Sequence, residues 1–273
     1  MTKKKIFNSM LLLLGGGAIF VLGNPYYSVF PTNGNQIYTL AITLLFLMLA
    51  MNLKRKPSYA NYWPAAYALF IASAATLFLN TGILNLHRNS MPALQNLALD
   101  KFSQLLHVVP VIIGLTVLAK KDLKSIFIGV GRLKRGLRFG LISFVSFAVI
   151  ALVIGKQSND FFPSLWKAIP LLMLFVFSNA IMEELWFRGI FLRNYEPIIG
   201  KHAAIIVTAI IFGVSHVNAT YEFPGGGIVF CFVVFVLGLV GAYAMYKDES
   251  IIGPVLFHAG YDLLVIIPVL NSM

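Results

Sequence analysis

The sequence predicts an all-α protein, a polytopic transmembrane helical bundle of about eight to nine spans, and two observations carry this prediction. Apolar and aromatic residues make up 59% of the 273 residues and charged residues only 11%, whereas roughly 25% of an ordinary soluble domain is charged. Apolar runs of about 18 to 20 residues, the length that crosses a bilayer as a helix, recur along the whole chain. One continuous membrane domain is therefore expected, with no separate soluble domain.

Nine apolar segments account for most of the chain. They cover residues 6–23, 37–53, 62–80, 102–119, 139–155, 168–192, 203–219, 227–246 and 251–270. Sixteen of the 21 Lys and Arg residues fall in alternate connections, four fall in the others, and Arg188 lies within a span. The positive-inside rule then predicts a cytoplasmic N-terminus and an external C-terminus. Short basic connections of this kind are typical of a prokaryotic inner (plasma) membrane protein.

The chain divides into two parts within this single membrane domain. Residues 1–160 are predicted to hold N-terminal transmembrane helices and a basic cytoplasmic loop at 120–138, and residues 165–270 hold the polar spans described below. The basic loop is interpreted as a determinant of topology, and an amphipathic helix on the anionic leaflet is the alternative. Because the net charge of +11 is confined to clusters between spans, it indicates contact with lipid headgroups and not with nucleic acid.

Ionisable side chains within spans are concentrated in the C-terminal part. The sixth span contains Glu183, Glu184 and Arg188, the seventh contains His216, and the ninth contains His258 and Asp262. A charged residue at the bilayer centre costs about 2.5 to 3.5 kcal/mol on insertion scales, so such residues indicate a functional site. A packing network is the structural alternative, but it requires a partner for every member, and two glutamates face one arginine here.

Spacing along the helices separates the roles of the two glutamates. Glu184 and Arg188 lie four residues apart, which places an ion pair on one helix face, while Glu183 is rotated by about 100°. Glu183 is therefore expected to point at a cavity as a general base. Such a pocket would allow water activation, with one imidazole moving the proton and another group stabilising the oxyanion.

These residues match three motifs on successive apolar segments. Glu183, Glu184 and Arg188 fit EExxxR, Phe212 and His216 fit FxxxH, and His258 with Asp262 fits an HxxxD-like variant of HxxxN. In this order they resemble the CPBP intramembrane proteases, which include Rce1-type CAAX prenyl endopeptidases and the bacterial Abi or bacteriocin-processing proteins. The resemblance covers about residues 165 to 270 and makes this part a CPBP-like catalytic core.

The resemblance implies an intramembrane endopeptidase with Glu183 as the water-activating base and His216 as its partner. His258 and residue 262 would stabilise the oxyanion, while Glu184 and Arg188 would orient other groups. An ionised aspartate at 262 cannot donate a hydrogen bond, so either Asp262 is protonated or it orients His258 and keeps it cationic. The substrate would be a membrane-associated peptide or protein with or without a lipid group, processed in CAAX-type reactions, bacteriocin maturation or immunity.

Glu183 and Arg188 both fall in the second half of a span predicted to run from outside to inside, so the cavity is expected to open toward the cytoplasm. No glycine-rich phosphate motif implies a soluble cofactor. Two histidines and a glutamate could bind a divalent metal such as zinc, but HExxH is absent and a metal-independent site is favoured.

Other classes of protein fit the sequence less well. A serine protease would need Ser215 beside His216 in space, yet neighbouring helical residues point apart. An aspartyl protease needs two intramembrane aspartates, and Asp262 is the only aspartate in the predicted spans. A transporter predicts polar residues in both halves of the chain, whereas the polar residues in these spans are concentrated in the C-terminal part. A proteolytically inactive scaffold with an immunity or regulatory role stays open as the alternative function.

Overall fold

The computed structural model describes residues 2–24, 30, 34–87, 90–155, 161–217 and 226–268, and the side chains from residue 165 onward in the fifth of these ranges. No strand occurs in these ranges, and helices form nearly all of them. The predicted all-α class is confirmed. Arg88, Lys156 and nearly all of the predicted base-free loop 219–226 lie outside the described residues.

Ten α-helices follow one another along the described chain. They are α1 (Lys3–Gly17), α2 (Gly34–Arg55), α3 (Trp63–Thr81), α4 (Ala93–Leu118), α5 (Leu133–Gly155), α6 (Phe161–Glu183), α7 (Leu192–Ile199), α8 (Lys201–Val214), α9 (Gly226–Asp248) and α10 (Ile252–Ile266). Tighter or wider turns extend three of them: a π-helical turn follows α1 (Ala18–Leu22), a 3₁₀ turn precedes α3 (Pro57–Tyr62), and a π-helical turn (Glu184–Gly189) follows α6.

Seven of the helical segments in the described ranges are long and apolar enough to cross a membrane. The segment Leu165–Ile199, which joins α6 to α7, counts as one of them. The two shorter apolar helices are α8, which ends just before His216, and α10, which contains His258. All nine predicted apolar segments are thus helical, although two are shorter than a full span.

Apolar side chains cover the outer surface of the bundle. Ile37, Val153 and Ile228 are 69%, 74% and 84% exposed, which is costly in water but favourable against lipid tails. The buried core lies between α3, α4, the α6 segment, α8, α9 and α10. Helix α6 packs on α4 and α10, and α8 packs on α9.

The basic connections meet at one end of the bundle. Contacts join Lys4 with Tyr62, Lys54 and Lys121 with Trp63, Arg193 with Lys124, Lys201 with Tyr246, and Arg135 with Asp248. We call this the basic end. It joins all five connections that the sequence assigns to the cytoplasm, so the predicted alternation agrees with the fold.

The opposite end, which we call the base-poor end, is held together by amide and hydroxyl groups. Gln36 Nε2 donates to the carbonyl of Asn80, and Asn80 Nδ2 donates to the carbonyl of Gly23. The amide of Leu86 donates to Ser103 Oγ. The start of α4 therefore lies at this end, together with the connections after α1 and α3.

The loop predicted at 120–138 is shorter than expected and is not an amphipathic helix. It contains one 3₁₀ turn, Leu123–Ile126, and α5 already begins at Leu133. Lys134, Arg135 and Arg138 thus belong to the first turns of a span. The backbone amides of Arg132 and Ile251 bond to the carbonyls of Asp248 and Phe127, which fixes the loop on the α9–α10 connection.

Candidate active site

The candidate site residues come from three elements that converge in the middle of the bundle. Glu183 ends α6, Glu184 and Arg188 lie on the following π-helical turn, His216 follows α8, and His258 and Asp262 lie on α10. A π-helical turn inside a helix is rare and is often found at functional sites. Ion-pair contacts join all six side chains into one cluster.

Glu184 and Arg188 form the ion pair that their spacing predicts. Arg188 Nη1 donates to Glu184 Oε1 at 2.5 Å, and the two side chains are 0% and 1% exposed. Arg188 Nε also donates to the carbonyl of Gly238, and its guanidinium lies 4.1 Å from the centre of the Phe212 ring. A buried charge-assisted bond of this kind fixes both groups in place.

The same glutamate binds His258 on another helix. His258 Nδ1 lies 2.9 Å from Glu184 Oε1. Because a carboxylate paired with arginine only accepts hydrogen bonds, Nδ1 carries a proton and donates it. Glu184 therefore fixes the orientation of the imidazole, and His258 Nε2 faces Glu183 and Asp262 at 3.6 Å from each.

Glu183 has a different environment. Its Oε2 lies 3.6 Å from His258 Nε2 and 3.8 Å from His216 Nε2, and it is buried without a hydrogen-bond partner in the described part of the protein. These separations exceed a direct hydrogen bond and suit groups bridged by a water or substrate atom. The predicted difference between the two glutamates is thus present in the geometry.

His216 lies just beyond the end of α8, which stops at Val214. Its Nδ1 lies 2.8 Å from the carbonyl of Phe212. A carbonyl only accepts, so Nδ1 is protonated and Nε2 faces Glu183, where it offers a lone pair whenever the ring is neutral.

Ser215 does not point away from His216, so that expectation is wrong. Both residues lie in a turn after α8, where helical side-chain directions no longer hold, and Ser215 Oγ lies 3.2 Å from His216 Nδ1. However, Nδ1 donates to the Phe212 carbonyl and cannot also take a proton from the serine. The Ser215 hydroxyl itself donates to that carbonyl, as a packing role requires.

Asp262 has a partner that the sequence analysis did not identify. Asn179 Nδ2 donates to Asp262 Oδ2 at 3.0 Å across 83 residues of chain. An amide within an apolar span was the available signal, since a polar group in lipid is retained only when it finds a partner. Asn179 therefore joins the site as a positioning residue for Asp262.

A cavity of about 330 Å³ lies in front of these groups. Glu183, His216, His258 and Asp262 line it, whereas Glu184 and Arg188 are not among its lining residues. Within the described residues, no group of three His, Cys, Asp or Glu side chains has an arrangement that could hold a metal ion.

The lining of the cavity reaches the base-poor end of the bundle. Its lining includes Asn24, Asp100 and Lys101 at the base-poor end, and no residue of the basic connections lines it. Beyond Glu183, the side chains of Trp186 and Phe187 close the cavity toward the basic end. An opening toward the cytoplasm, as the position of Glu183 in its span leads us to expect, would have to pass these aromatic side chains.

One comparison with known proteins covers this part of the chain. Residues 165–264 match the family model described as type II CAAX prenyl endopeptidase Rce1-like. The matched segment is similar to the Rce1-like domain over 100 of the 273 residues. The resemblance indicated by the three motifs is thereby confirmed, and all six candidate residues lie inside the matched range.

This similarity supports a membrane protease of the CPBP type, a class that acts on peptide or protein substrates. No curated protein and no solved structure matches the chain. The role of each residue in the Rce1-like domain, the need for a metal and the division of the chain near residue 160 stay predictions.

Proposed function

We propose that the protein is an intramembrane endopeptidase in which the Glu183 carboxylate activates water to hydrolyse a peptide bond. The observation that carries this proposal is the position of Glu183 Oε2, buried in the cavity without a hydrogen bond and within 3.8 Å of two imidazole Nε2 atoms. A buried carboxylate without a fixed donor is costly. A general base needs such a carboxylate, because its hydrogen-bond partner is the water molecule that it activates.

In the proposed reaction, Glu183 removes a proton from water while the water oxygen attacks the peptide carbonyl carbon. The carbonyl oxygen becomes an oxyanion in a tetrahedral intermediate. His216, with its Nε2 lone pair directed to the same point, accepts the proton and delivers it to the leaving nitrogen. The C–N bond then breaks, giving a carboxylic acid and an amine.

His258 suits the role of oxyanion donor because three carboxylates surround it. Nδ1–H donates to Glu184, and Nε2 lies 3.6 Å from both Glu183 and Asp262. The cluster holds three carboxylates against one arginine, so a cationic His258 reduces the uncompensated negative charge. Its Nε2–H can then donate to the oxyanion.

Asp262 fits the role of keeping His258 cationic better than the role of a direct donor. Its Oδ1 lies 3.6 Å from His258 Nε2, where a carboxylate charge favours the imidazolium, and its Oδ2 accepts a hydrogen bond from Asn179. The aspartate would therefore support the imidazolium by charge, and the amide of Asn179 would hold it beside α10.

The test compares Glu183→Gln with the wild type in membranes and as purified protein. Glu183→Gln keeps the shape of the side chain and removes the base, so cleavage of cellular peptides should fall by about 10²- to 10⁴-fold at unchanged protein level. Peptidomics on membranes from wild-type and Glu183→Gln cells identifies the peptides whose cleavage depends on Glu183. Glu249→Gln, an exposed carboxylate at the basic end, is the matched control and should retain activity.

Two results would overturn parts of this proposal. Unchanged cleavage in Glu183→Gln would exclude Glu183 as the base and, if no peptide depended on the protein at all, would favour the inactive scaffold. Loss of wild-type activity on chelation, with recovery on adding zinc, would replace metal-free water activation by a metal-dependent form of the same protease.

A further inference from the structure

The direction from which a substrate reaches the cavity follows from two features of the bundle. The basic connections meet at one end, as the contacts of Lys4, Lys54, Lys121, Lys201 and Arg135 establish. The cavity extends toward the other end. The two features thus occupy opposite faces of the membrane.

The lining of the cavity is graded along the bundle axis. At the base-poor end it combines the polar residues Asn24, Asp100, Lys101 and Gln104 with apolar residues such as Leu97 and Ile266. In the middle lie the glutamate and the histidines. At the bottom it is aromatic and apolar, closed by Trp186, Phe187, Phe212 and Leu237, all of which are buried.

The polar residues of the rim are organised by contacts with one another. Gln104 Nε2 donates to Asp100 Oδ2 at 2.8 Å, and His87 lies 3.3 Å from the other oxygen of this carboxylate. Lys101 lies 3.5 Å from Gln104 Oε1. Charged groups at this depth require contact with water or headgroups, so the rim marks the aqueous side of the cavity.

We propose that the cavity opens on the extracytoplasmic face and that the enzyme cleaves segments of exported or membrane proteins presented from that face. The inference rests on the proposed function and specifies its substrate class. Sixteen of the 21 Lys and Arg residues lie in the connections of the basic end, and an excess of this size places that end in the cytoplasm. The aromatic floor separates Glu183 from the cytoplasm, so a cytoplasmic C-terminal tail cannot reach it from below.

The volume of the cavity limits which substrates can enter it. About 330 Å³ is at the low end of the range for small-molecule pockets. A folded domain cannot enter such a space. The substrate therefore presents a short, unfolded stretch, such as a juxtamembrane segment or the end of a chain.

Cysteine labelling in intact cells tests the direction of the opening. The chain contains one cysteine, Cys231, so a Cys231→Ser background carries one new cysteine at a time. Labelling of Lys101→Cys measures access to the rim of the cavity. Labelling of Gln36→Cys measures access to the base-poor end outside the cavity. Lys56→Cys, exposed at the basic end, is the matched control. A membrane-impermeant maleimide is applied before and after cell lysis.

We expect Gln36→Cys and Lys101→Cys to react in intact cells and Lys56→Cys to react only after lysis. The reverse pattern would overturn the proposal, because the cavity would then open to the cytoplasm. Labelling of Gln36→Cys from outside with no labelling of Lys101→Cys even after lysis would also overturn it, because the rim would be closed.

These results do not depend on proteolysis, so they distinguish a wrong direction from a wrong reaction. Peptidomics gives a second reading of the same proposal. Cut sites lost in Glu183→Gln should map to extracytoplasmic segments of the substrates, and cut sites confined to cytoplasmic segments would refute the inference.

Discussion

Replacing Arg188 by methionine should destabilise the protein strongly, because the change leaves the buried Glu184 carboxylate without its cation. Both side chains are 1% exposed or less, and breaking a buried ion pair by removing one partner costs about 3–5 kcal/mol. Methionine keeps the apolar stem, so most of this cost comes from the isolated carboxylate. Lost contacts with the Gly238 carbonyl and the Phe212 ring add to it.

A second substitution separates charge from packing. In Glu184→Gln/Arg188→Met, the neutral amide oxygen still accepts the hydrogen bond from His258 Nδ1 and leaves no unpaired charge at position 184. The double variant should therefore recover about 2–3 kcal/mol relative to Arg188→Met alone, the range expected for directly coupled residues. Equilibrium unfolding in mixed micelles, followed by circular dichroism, measures the free energy of unfolding of the wild type, of Arg188→Met, of Glu184→Gln and of the double variant.

The surface pair Arg132 and Glu249 provides the matched control. Its atoms lie 3.6 Å apart, but the side chains are 62% and 54% exposed, so Arg132→Met should cost less than about 1 kcal/mol. If the double variant at 184 and 188 were as unstable as the sum of its single variants, or if Arg188→Met cost no more than Arg132→Met, the ion pair would not stabilise this fold as argued.

The remaining predictions concern single side chains. Ser215→Ala should retain cleavage within about threefold, since removing one neutral hydrogen bond costs about 1 kcal/mol and His216 Nδ1 stays bound to a carbonyl; a loss of 10³-fold or more would favour a serine nucleophile. Asn179→Ala removes the donor to Asp262 and should lower kcat by about tenfold with little change in KM, because the lost hydrogen bond costs about 1–2 kcal/mol. An unchanged kcat would exclude this positioning role. Burial lowers the pKa of Lys121 to about 8, so its amine becomes neutral as pH rises through 8. Its rate of labelling by an acylating reagent, read by mass spectrometry, should rise from pH 7 and level off near pH 9, whereas a continued rise of about tenfold per pH unit up to pH 10, as an amine of ordinary pKa shows, would contradict the lowered pKa.

Several features of the site were accessible from sequence because they depend on local geometry. The pairing of Glu184 with Arg188 follows from a spacing of four residues on one helix, and the separate orientation of Glu183 follows from a shift of one. The shared end of the basic connections follows from the alternation of spans. Each of these features needs only the regular geometry of a helix crossing a bilayer.

Other features depend on contacts between distant segments. The bond from His258 to Glu184 spans 74 residues and that from Asn179 to Asp262 spans 83, so no local pattern could have paired them. The turn that brings Ser215 beside His216 arises because α8 stops at Val214. Apolar periodicity does not fix a helix end to the residue, and that end decides where these side chains point.

The sequence by itself determined that this chain is a bundle of membrane helices, which of its helices hold ionisable groups, and which connections share a side. Hydropathy and helical spacing are properties of neighbouring residues, and they survive without knowledge of the fold. Only the tertiary structure decided which nitrogen of each imidazole faces Glu183 and which side chains line the cavity. Those properties are set by side chains from different helices, such as the aromatic floor beneath the glutamate, whose packing no single segment specifies.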